Sequence, residues 1–216
     1  MKKSRLCLWL GLAVCLCLNS GVEAKAVKSK QNPRVEVVTN MGRFELELYP
    51  KKAPATVKNF LKYVNDGFYD NTIFHRVING FMIQGGGFEE GLKKKPTRKP
   101  IMNESHNKLS NVLGTIAMAR TNDPHSATAQ FYINVANNTF LNYASAEQPG
   151  YCVFGTVYKG LDVIQDIKQV DVETNGMYQN VPKIPVIIKR VRVISKKGPQ
   201  KDEMHVPKEK DLPVSS

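Results

Sequence analysis

An alternation of apolar and polar residues near the start of the chain predicts a β-hairpin. Residues 34–39 and 43–49 form two runs joined by a short connection that ends at Gly42. A glycine in this place suits a turn that needs a positive φ. Successive side chains of a strand point to opposite faces, so the second run has one buried and one wet face. Its alternate apolar residues are Phe44, Leu46 and Leu48.

The next segment changes from strand spacing to helical spacing. Apolar residues recur at i, i+3, i+4 and i+7, which predicts a helix over residues 56–66 that ends at Gly67. Both Pro54 and Thr56 suit the first turn, so the start of the helix stays open between them. The apolar positions are Val57, Phe60, Leu61 and Val64.

The rest of the chain contains further short apolar runs that predict strands, and one more helix. The helix is indicated by Leu161, Ile164 and Ile167, and loops or irregular connections are expected between the runs. Many short strands, only two helices and no βαβ alternation favour a mainly β fold, with a closed or sandwiched antiparallel sheet. Residues 74–87 predict two short strands joined by a turn and closed by a glycine run, and the other runs are 112–118, 130–135, 152–158 and 186–194.

The N-terminal residues 1–24 have the pattern of a secretory signal peptide. Basic residues precede an apolar run over 6–18, and small residues follow it. This run is too short to span a membrane, which needs about 20 apolar residues. We expect cleavage after Ala24, with Ala26 as the second choice. A lipoprotein signal at Cys15 or Cys17 is a minor alternative, because the preceding residues are not small.

One domain is expected over residues 34–196. It follows a polar lead-in over 25–33 and precedes a basic disordered tail over 197–216, which has no apolar periodicity. The formal net charge of +12 is concentrated in a few basic segments, including residues 93–99 and the tail. Such segments suit anionic neighbours, but solvated basic faces are the simpler interpretation, and we expect no nucleic-acid partner.

Removal of the signal peptide leaves Cys152 as the single cysteine, so no internal disulfide can form. Cys152 lies in an apolar run, where packing is favoured over a role as a nucleophile. Sequence signatures of hydrolases, P-loop proteins and Rossmann folds are missing, and the four histidines are far apart. We therefore expect no metal and no cofactor.

The stretch 74–87, FHRVINGFMIQGGG, carries the clearest candidate chemistry. Arg76 and Gln84 are polar residues in an otherwise apolar context, where an unpaired charge is costly to bury. The neighbouring His75 points to the opposite face of a strand and is interpreted as structural. The glycine run 85–87 predicts a bend or a close backbone approach rather than a phosphate site.

Four motifs in this order resemble the cyclophilin-type peptidyl-prolyl cis–trans isomerases. The resemblance covers residues 35–194 and is closest to the periplasmic bacterial branch. It implies a closed eight-stranded antiparallel barrel with a helix over each open end, and an active-site groove on the outside of the barrel. The motifs are FHRVINGFMIQGGG (74–87), GTIAMAR (114–120), SATAQFYIN (126–134) and VFGTVYKG (153–160).

The resemblance also implies which residues form the site. Arg76 would donate a hydrogen bond to the proline nitrogen, and Gln84 would orient the arginine and donate to a substrate carbonyl. The implied substrate-binding residues are Phe81, Met82, Ala119, Gln130, Tyr132, Phe140, Leu141 and Tyr151.

Three positions depart from the family pattern. Phe140 replaces a tryptophan whose indole N–H helps to hold cyclosporin, so weak cyclosporin binding is expected. Tyr132 replaces a phenylalanine and adds a hydroxyl that needs a partner. Arg120 replaces an asparagine, and this change should be tolerated because the family uses the backbone of that residue.

These observations predict a monomeric isomerase that acts on proline-containing segments of unfolded or partly folded exported proteins. The expected location is the periplasm, and surface exposure or release from the cell stays open. The alternative is a chaperone-like binding module with incidental or lost isomerase activity. The combination of Arg76 and Gln84 favours the enzyme.

Overall fold

The structure is a computed structural model that describes residues 31–194, which form eleven strands and two helices. The helices are α1 (Pro54–Asn65) and α2 (Leu161–Ile167). The strands are β1 (Arg34–Thr39), β2 (Gly42–Leu48), β3 (Thr72–Ile78), β4 (Met82–Glu89), β5 (Lys93–Lys94), β6 (Thr115–Met118), β7 (Phe131–Asn134), β8 (Val153–Lys159), β9 (Val172–Asn175), β10 (Tyr178–Pro182) and β11 (Ile187–Ile194).

Eight of these strands close into an antiparallel barrel, as predicted. Their order is β3-β11-β1-β2-β8-β6-β7-β4, and β4 pairs back with β3. The short β5 pairs with β4, and β9 and β10 form a separate hairpin. Closure leaves the ring without a free edge, so its backbone groups pair all the way round.

The predicted alternation places one face of each strand in a continuous core. In β2, Phe44, Leu46 and Leu48 are buried while the glutamates between them are not. The same core receives apolar side chains from both helices, including Phe60 and Ile164. The core therefore fills the inside of the barrel, and the opposite face of each strand points outwards.

Helix α1 begins at Pro54, which decides between the two starts that the sequence allowed. Its N-cap residue Ala53 provides no side-chain hydrogen bond. The carboxylate of Glu104 accepts hydrogen bonds from the backbone N–H groups of Ala55 (3.1 Å) and Thr56 (2.8 Å) instead. The cap comes from a residue far along the chain, so local sequence could not indicate it.

The hairpin β9–β10 corrects the prediction of an irregular connection before residue 186. Its turn contains Asn175-Gly176, a dipeptide typical of tight hairpins, and Gly176 has φ of +58°. This signal was present in the sequence. Strand β4 also extends to Glu89, so the loop predicted from residue 88 begins slightly later.

The predicted signal peptide and basic tail lie outside the described residues. Within residues 31–194, none of the helices has the length and apolar character needed to cross a membrane.

Candidate active site

The register of three neighbouring strands puts the main candidate residues in one row. Arg76 on β3 lies opposite Gln84 on β4, and Gln84 lies opposite Tyr132 on β7. The adjacent row consists of Val77, Ile83 and Ile133, which are at most 1% exposed and belong to the core. Since strand side chains alternate between faces, the first row lies on the outside of the barrel.

The side chain of Arg76 is half-buried in this outer row. Among residues 31–194, it forms no ion pair and no side-chain hydrogen bond. A guanidinium always carries its charge and offers five rigidly arranged N–H donors. Arg76 therefore presents unused donors at the outer surface of the barrel.

The neighbouring His75 is buried at a point where the register between β3 and β4 shifts. It is 5% exposed, and its ring centroid lies 4.5 Å from that of Phe88. Burial, and secondarily the charge of Arg76, lowers the pKa of His75 to about 4. The imidazole is thus neutral at pH 7 and belongs to the packing rather than to the outer row.

Gln84 is held by a second glutamine rather than by the arginine. Its Nε2 donates a hydrogen bond of 2.9 Å to Oε1 of Gln130. A Cβ atom at Gly87 would overlap the side chain of Gln130, so this glycine provides the space in which the pair forms. The expected orientation of Arg76 by Gln84 does not take the form of a hydrogen bond in the described part of the chain.

A small apolar cluster, here called the apolar patch, lies apart from the main core. It contains six of the eight residues that the resemblance implied for substrate binding. Gln130 stands beside it, and Phe140 is 73% exposed, with its ring stacked on Phe81 at a centroid distance of 5.9 Å. The patch comprises Ile78, Phe81, Met82, Leu109, Ala117, Ala119, Tyr132, Leu141, Tyr151 and Val153.

The hydroxyl of Tyr132, which was expected to need a partner, forms a buried hydrogen bond with Asn111. It donates a hydrogen bond of 2.7 Å to Oδ1 of Asn111. Burial, and secondarily the neighbouring Tyr151, raises the pKa of Tyr132 well above its ordinary value, so the hydroxyl stays protonated. The sequence did not predict that Asn111 belongs to the site, because nothing in the local pattern indicates that this loop asparagine is buried beside the patch.

The side chain of Arg120 packs on one residue of the patch and binds a neighbouring loop. Its guanidinium carbon lies 4.4 Å from the ring centroid of Tyr151, and its Nε donates a hydrogen bond of 3.0 Å to the carbonyl of Gly150. Arg120 and Lys94 also line a polar cavity of about 240 Å³ next to Gln84. The site thus combines an apolar patch with a basic, polar recess.

Neither a metal centre nor an activated thiol is found among the described residues. No group of three or more His, Cys, Asp or Glu side chains in residues 31–194 is arranged to hold a metal ion. Cys152 is buried, and burial raises its pKa to about 11, which keeps the thiol neutral at pH 7.

Comparisons with known proteins agree with this architecture. Residues 34–193 match the family described as cyclophilin type peptidyl-prolyl cis-trans isomerase/CLD. The chain is 59% identical over 157 residues to peptidyl-prolyl cis-trans isomerase B of Escherichia coli (strain K12), covering 72% of this chain and 96% of that protein. It is 57% identical over 164 residues to a peptidyl-prolyl cis-trans isomerase of Acinetobacter baylyi, covering 76% of this chain and 87% of that protein.

Solved structures show the same fold. The crystal structure of a cyclophilin type peptidyl-prolyl cis-trans isomerase from Cryptosporidium parvum matches with a TM-score of 0.64 and 26% sequence identity. The match covers 76% of this chain and 98% of that one. With the barrel, the outer row and the apolar patch, these matches establish that the chain belongs to the cyclophilin-type family of peptidyl-prolyl cis–trans isomerases and is an enzyme of that class.

Proposed function

We propose that Arg76 accelerates rotation about X–Pro bonds by donating a hydrogen bond to the proline nitrogen. Rotation breaks amide resonance, so the twisted amide has a pyramidal and more basic nitrogen than the planar one. A donor that meets this nitrogen stabilises the transition state more than the ground state. The observation that carries the proposal is the row of Arg76, Gln84 and Tyr132 at the edge of the apolar patch.

The apolar patch would hold the proline ring while the rest of the peptide turns. Gln84, steadied by Gln130, would donate to a substrate carbonyl, since Nε2 of an amide carries two hydrogens and one is used by Gln130. Of the two roles expected for Gln84, this proposal keeps the donation to a substrate carbonyl and leaves out the orientation of the arginine.

The size of the barrier reduction requires contributions from both Arg76 and the apolar patch. Uncatalysed isomerisation proceeds at about 10⁻² s⁻¹, and reaching about 10³ s⁻¹ means lowering the barrier by roughly 7 kcal/mol. One charge-assisted hydrogen bond contributes roughly 1.5–3 kcal/mol. Arg76 alone is therefore insufficient, and contacts of the patch and the backbone would supply the remainder.

The substrates would be proline-containing segments of exported, unfolded or partly folded proteins in the periplasm. Support comes from the signal-peptide pattern of residues 1–24 and from the bacterial origin of the similar isomerases. We also predict weak cyclosporin binding, because the side chain of Phe140 has no N–H group that could donate a hydrogen bond to cyclosporin.

The test is isomerisation of a short Ala-Pro peptide by the wild type, Arg76→Ala and Arg76→Lys. We expect Arg76→Ala to lower kcat/KM by roughly ten- to a hundred-fold, which is the loss of one charge-assisted hydrogen bond. The kcat/KM of Arg76→Lys should lie between those of Arg76→Ala and the wild type, because an ammonium keeps the charge but not the fixed array of donors.

Arg43→Ala is the matched control, since Arg43 is an exposed arginine on β2, away from the patch. Its rate should equal that of the wild type. Equal rates for Arg76→Ala and the wild type would contradict the role of Arg76. Peptide binding without any turnover by the wild type would favour the chaperone-like alternative.

A further inference from the structure

We propose that Asn111 is a positioning residue of the active site, whose buried carboxamide holds the apolar patch in the shape that grips a proline ring. The inference rests on the proposed function, in which the apolar patch binds the proline ring of the substrate. Asn111 does not touch the substrate in this scheme and acts through the patch residues that it binds.

The carboxamide of Asn111 contacts three patch residues at once. Its Oδ1 accepts the hydroxyl hydrogen of Tyr132 at 2.7 Å. Its Nδ2 faces the backbone carbonyl oxygens of Leu141 at 3.2 Å and Tyr151 at 3.4 Å. Tyr132 lies on β7, Leu141 lies in a short helical turn and Tyr151 precedes β8. One side chain thus joins three separate segments of the patch.

The orientation of this carboxamide is determined by its surroundings. Besides Tyr132, a second donor, Nδ2 of Asn134, approaches Oδ1 at 3.3 Å. Nδ2 faces a further acceptor, Oδ1 of Asn142, at 3.2 Å. If the amide of Asn111 were flipped, its N–H groups would face the N–H donor of Asn134, and its oxygen would face the carbonyl oxygens of Leu141 and Tyr151. Neither arrangement can form a hydrogen bond.

Two more asparagines extend the connection to a fourth segment. Nδ2 of Asn138 donates to the backbone carbonyl of Phe81 at 2.8 Å and to Oδ1 of Asn134 at 2.7 Å. The backbone N–H of Asn138 also donates to the carbonyl of Asn111 at 2.8 Å. Phe81, Tyr132, Leu141 and Tyr151 are therefore linked through a single hydrogen-bonded network.

The burial of these amides argues for a role in shape rather than in stability alone. Asn111 and Asn134 are 0% exposed and Asn138 is 3% exposed. Apolar side chains of similar size can replace paired polar groups at little cost in stability, so a buried amide network is not needed to fill this space. Its hydrogen bonds are directional, however, and they fix the relative positions of the segments around the patch.

The test compares the steady-state kinetics and the peptide Kd of Asn111→Leu with those of the wild type. The patch holds the proline ring in the ground state, so its distortion should raise KM and Kd by about ten-fold, and kcat should fall as well because patch contacts also contribute to lowering the barrier. Tyr132→Phe removes one hydrogen bond only and should raise Kd by about two- to three-fold.

Asn111→Ala is the second variant, because it adds neither bulk nor charge at this buried site if Asn111→Leu does not fold. Alanine has no amide to donate to the carbonyls of Leu141 and Tyr151, so we expect the same rise in Kd. Kd is measured by NMR titration with the Ala-Pro peptide. This readout is independent of turnover, so a wrong role for Arg76 would not obscure it.

Thr39→Val is the control for stability. Thr39 is a buried threonine in the β1–β2 hairpin, where its Oγ1 donates to the carbonyl of Gly42 at 2.9 Å. This variant should unfold more easily than the wild type with an unchanged Kd. If the Asn111 variants also lose stability but keep the wild-type KM and Kd, Asn111 is only structural and the inference is overturned.

Discussion

Two adjacent residues, His75 and Arg76, illustrate how the surroundings of a side chain decide its role. Arg76 is on the outer face with unused donors, whereas His75 packs against Phe88. Its Nδ1 is buried without a hydrogen-bond partner among the described residues. A histidine in this environment resists protonation, since a charge there would be poorly solvated.

This burial predicts an acid-sensitive contribution to stability. The folded pKa of His75 is about 4 and the ordinary value is 6.5. Between these values the unfolded chain binds a proton that the folded protein does not, so the free energy of unfolding falls as the pH is lowered from 6.5 towards 4. From pH 7 to pH 5 the loss due to His75 is about 2 kcal/mol.

Denaturant unfolding at pH 7, 6 and 5 measures this loss. His75→Leu should reduce the decline by about that amount, because the variant has no group that titrates there. His106→Gln, at an exposed histidine, should follow the wild type. A decline of equal size in His75→Leu and the wild type would show that other groups cause it.

At the scale of elements, α1 depends on a residue outside the helix. Glu104 places a carboxylate at the helix N-terminus and accepts hydrogen bonds from Ala55, from the backbone of Thr56 and, at 2.7 Å, from the Thr56 hydroxyl. A negative charge at this end also interacts favourably with the helix dipole. Since α1 contributes Phe60 to the core, the cap links a surface loop to the stability of the barrel.

We expect Glu104→Ala to lower the free energy of unfolding by about 1–2 kcal/mol, the usual cost of losing an N-cap. Glu104→Gln should cost less, because its amide oxygen can still accept hydrogen bonds. Urea denaturation provides the measurement, and Glu90→Ala, at an exposed glutamate, provides the control. Equal stability of Glu104→Ala and the wild type would mean that water caps the helix equally well.

The glycine run in β4 is a second feature at this scale, and here the predicted close approach is confirmed. A Cβ at Gly85 would lie 3.0 Å from the carbonyl oxygen of Ile73, and Gly86 has φ of +78°. The register between β3 and β4 shifts in this region, which indicates bulges. The glycines thus shape the wall that carries Gln84.

At the scale of the whole molecule, the pattern of residues 1–24 predicts processing during export. When the full chain is produced in a bacterium, the protein in the periplasmic fraction should begin at Lys25, or at Val27 if cleavage follows Ala26. Mass spectrometry of that fraction measures the cleavage site. A chain without residues 1–24 serves as the control and should stay in the cytoplasm. Uncleaved full-length protein in the cytoplasmic fraction would contradict the prediction.

Much of the fold and of the candidate site was accessible from the sequence because it depends on local pattern. The period of two in residues 43–49 indicated which side chains enter the core, and the helical spacing from Val57 to Val64 located α1. The same period placed Arg76 and Val77 on opposite faces. Four motifs supplied the family and with it the number of strands and the closure of the barrel.

Contacts between distant segments were decided only by the tertiary structure. The cap from Glu104 to α1, the bond from Gln84 to Gln130 and the side-chain hydrogen bonds of Asn111 each join residues 21 or more positions apart. Nothing in the local pattern specifies such partners, because they depend on how strands are ordered and how loops return to the barrel. The sequence alone therefore determined which residues face outwards around Arg76, and the closed barrel determined which of them meet.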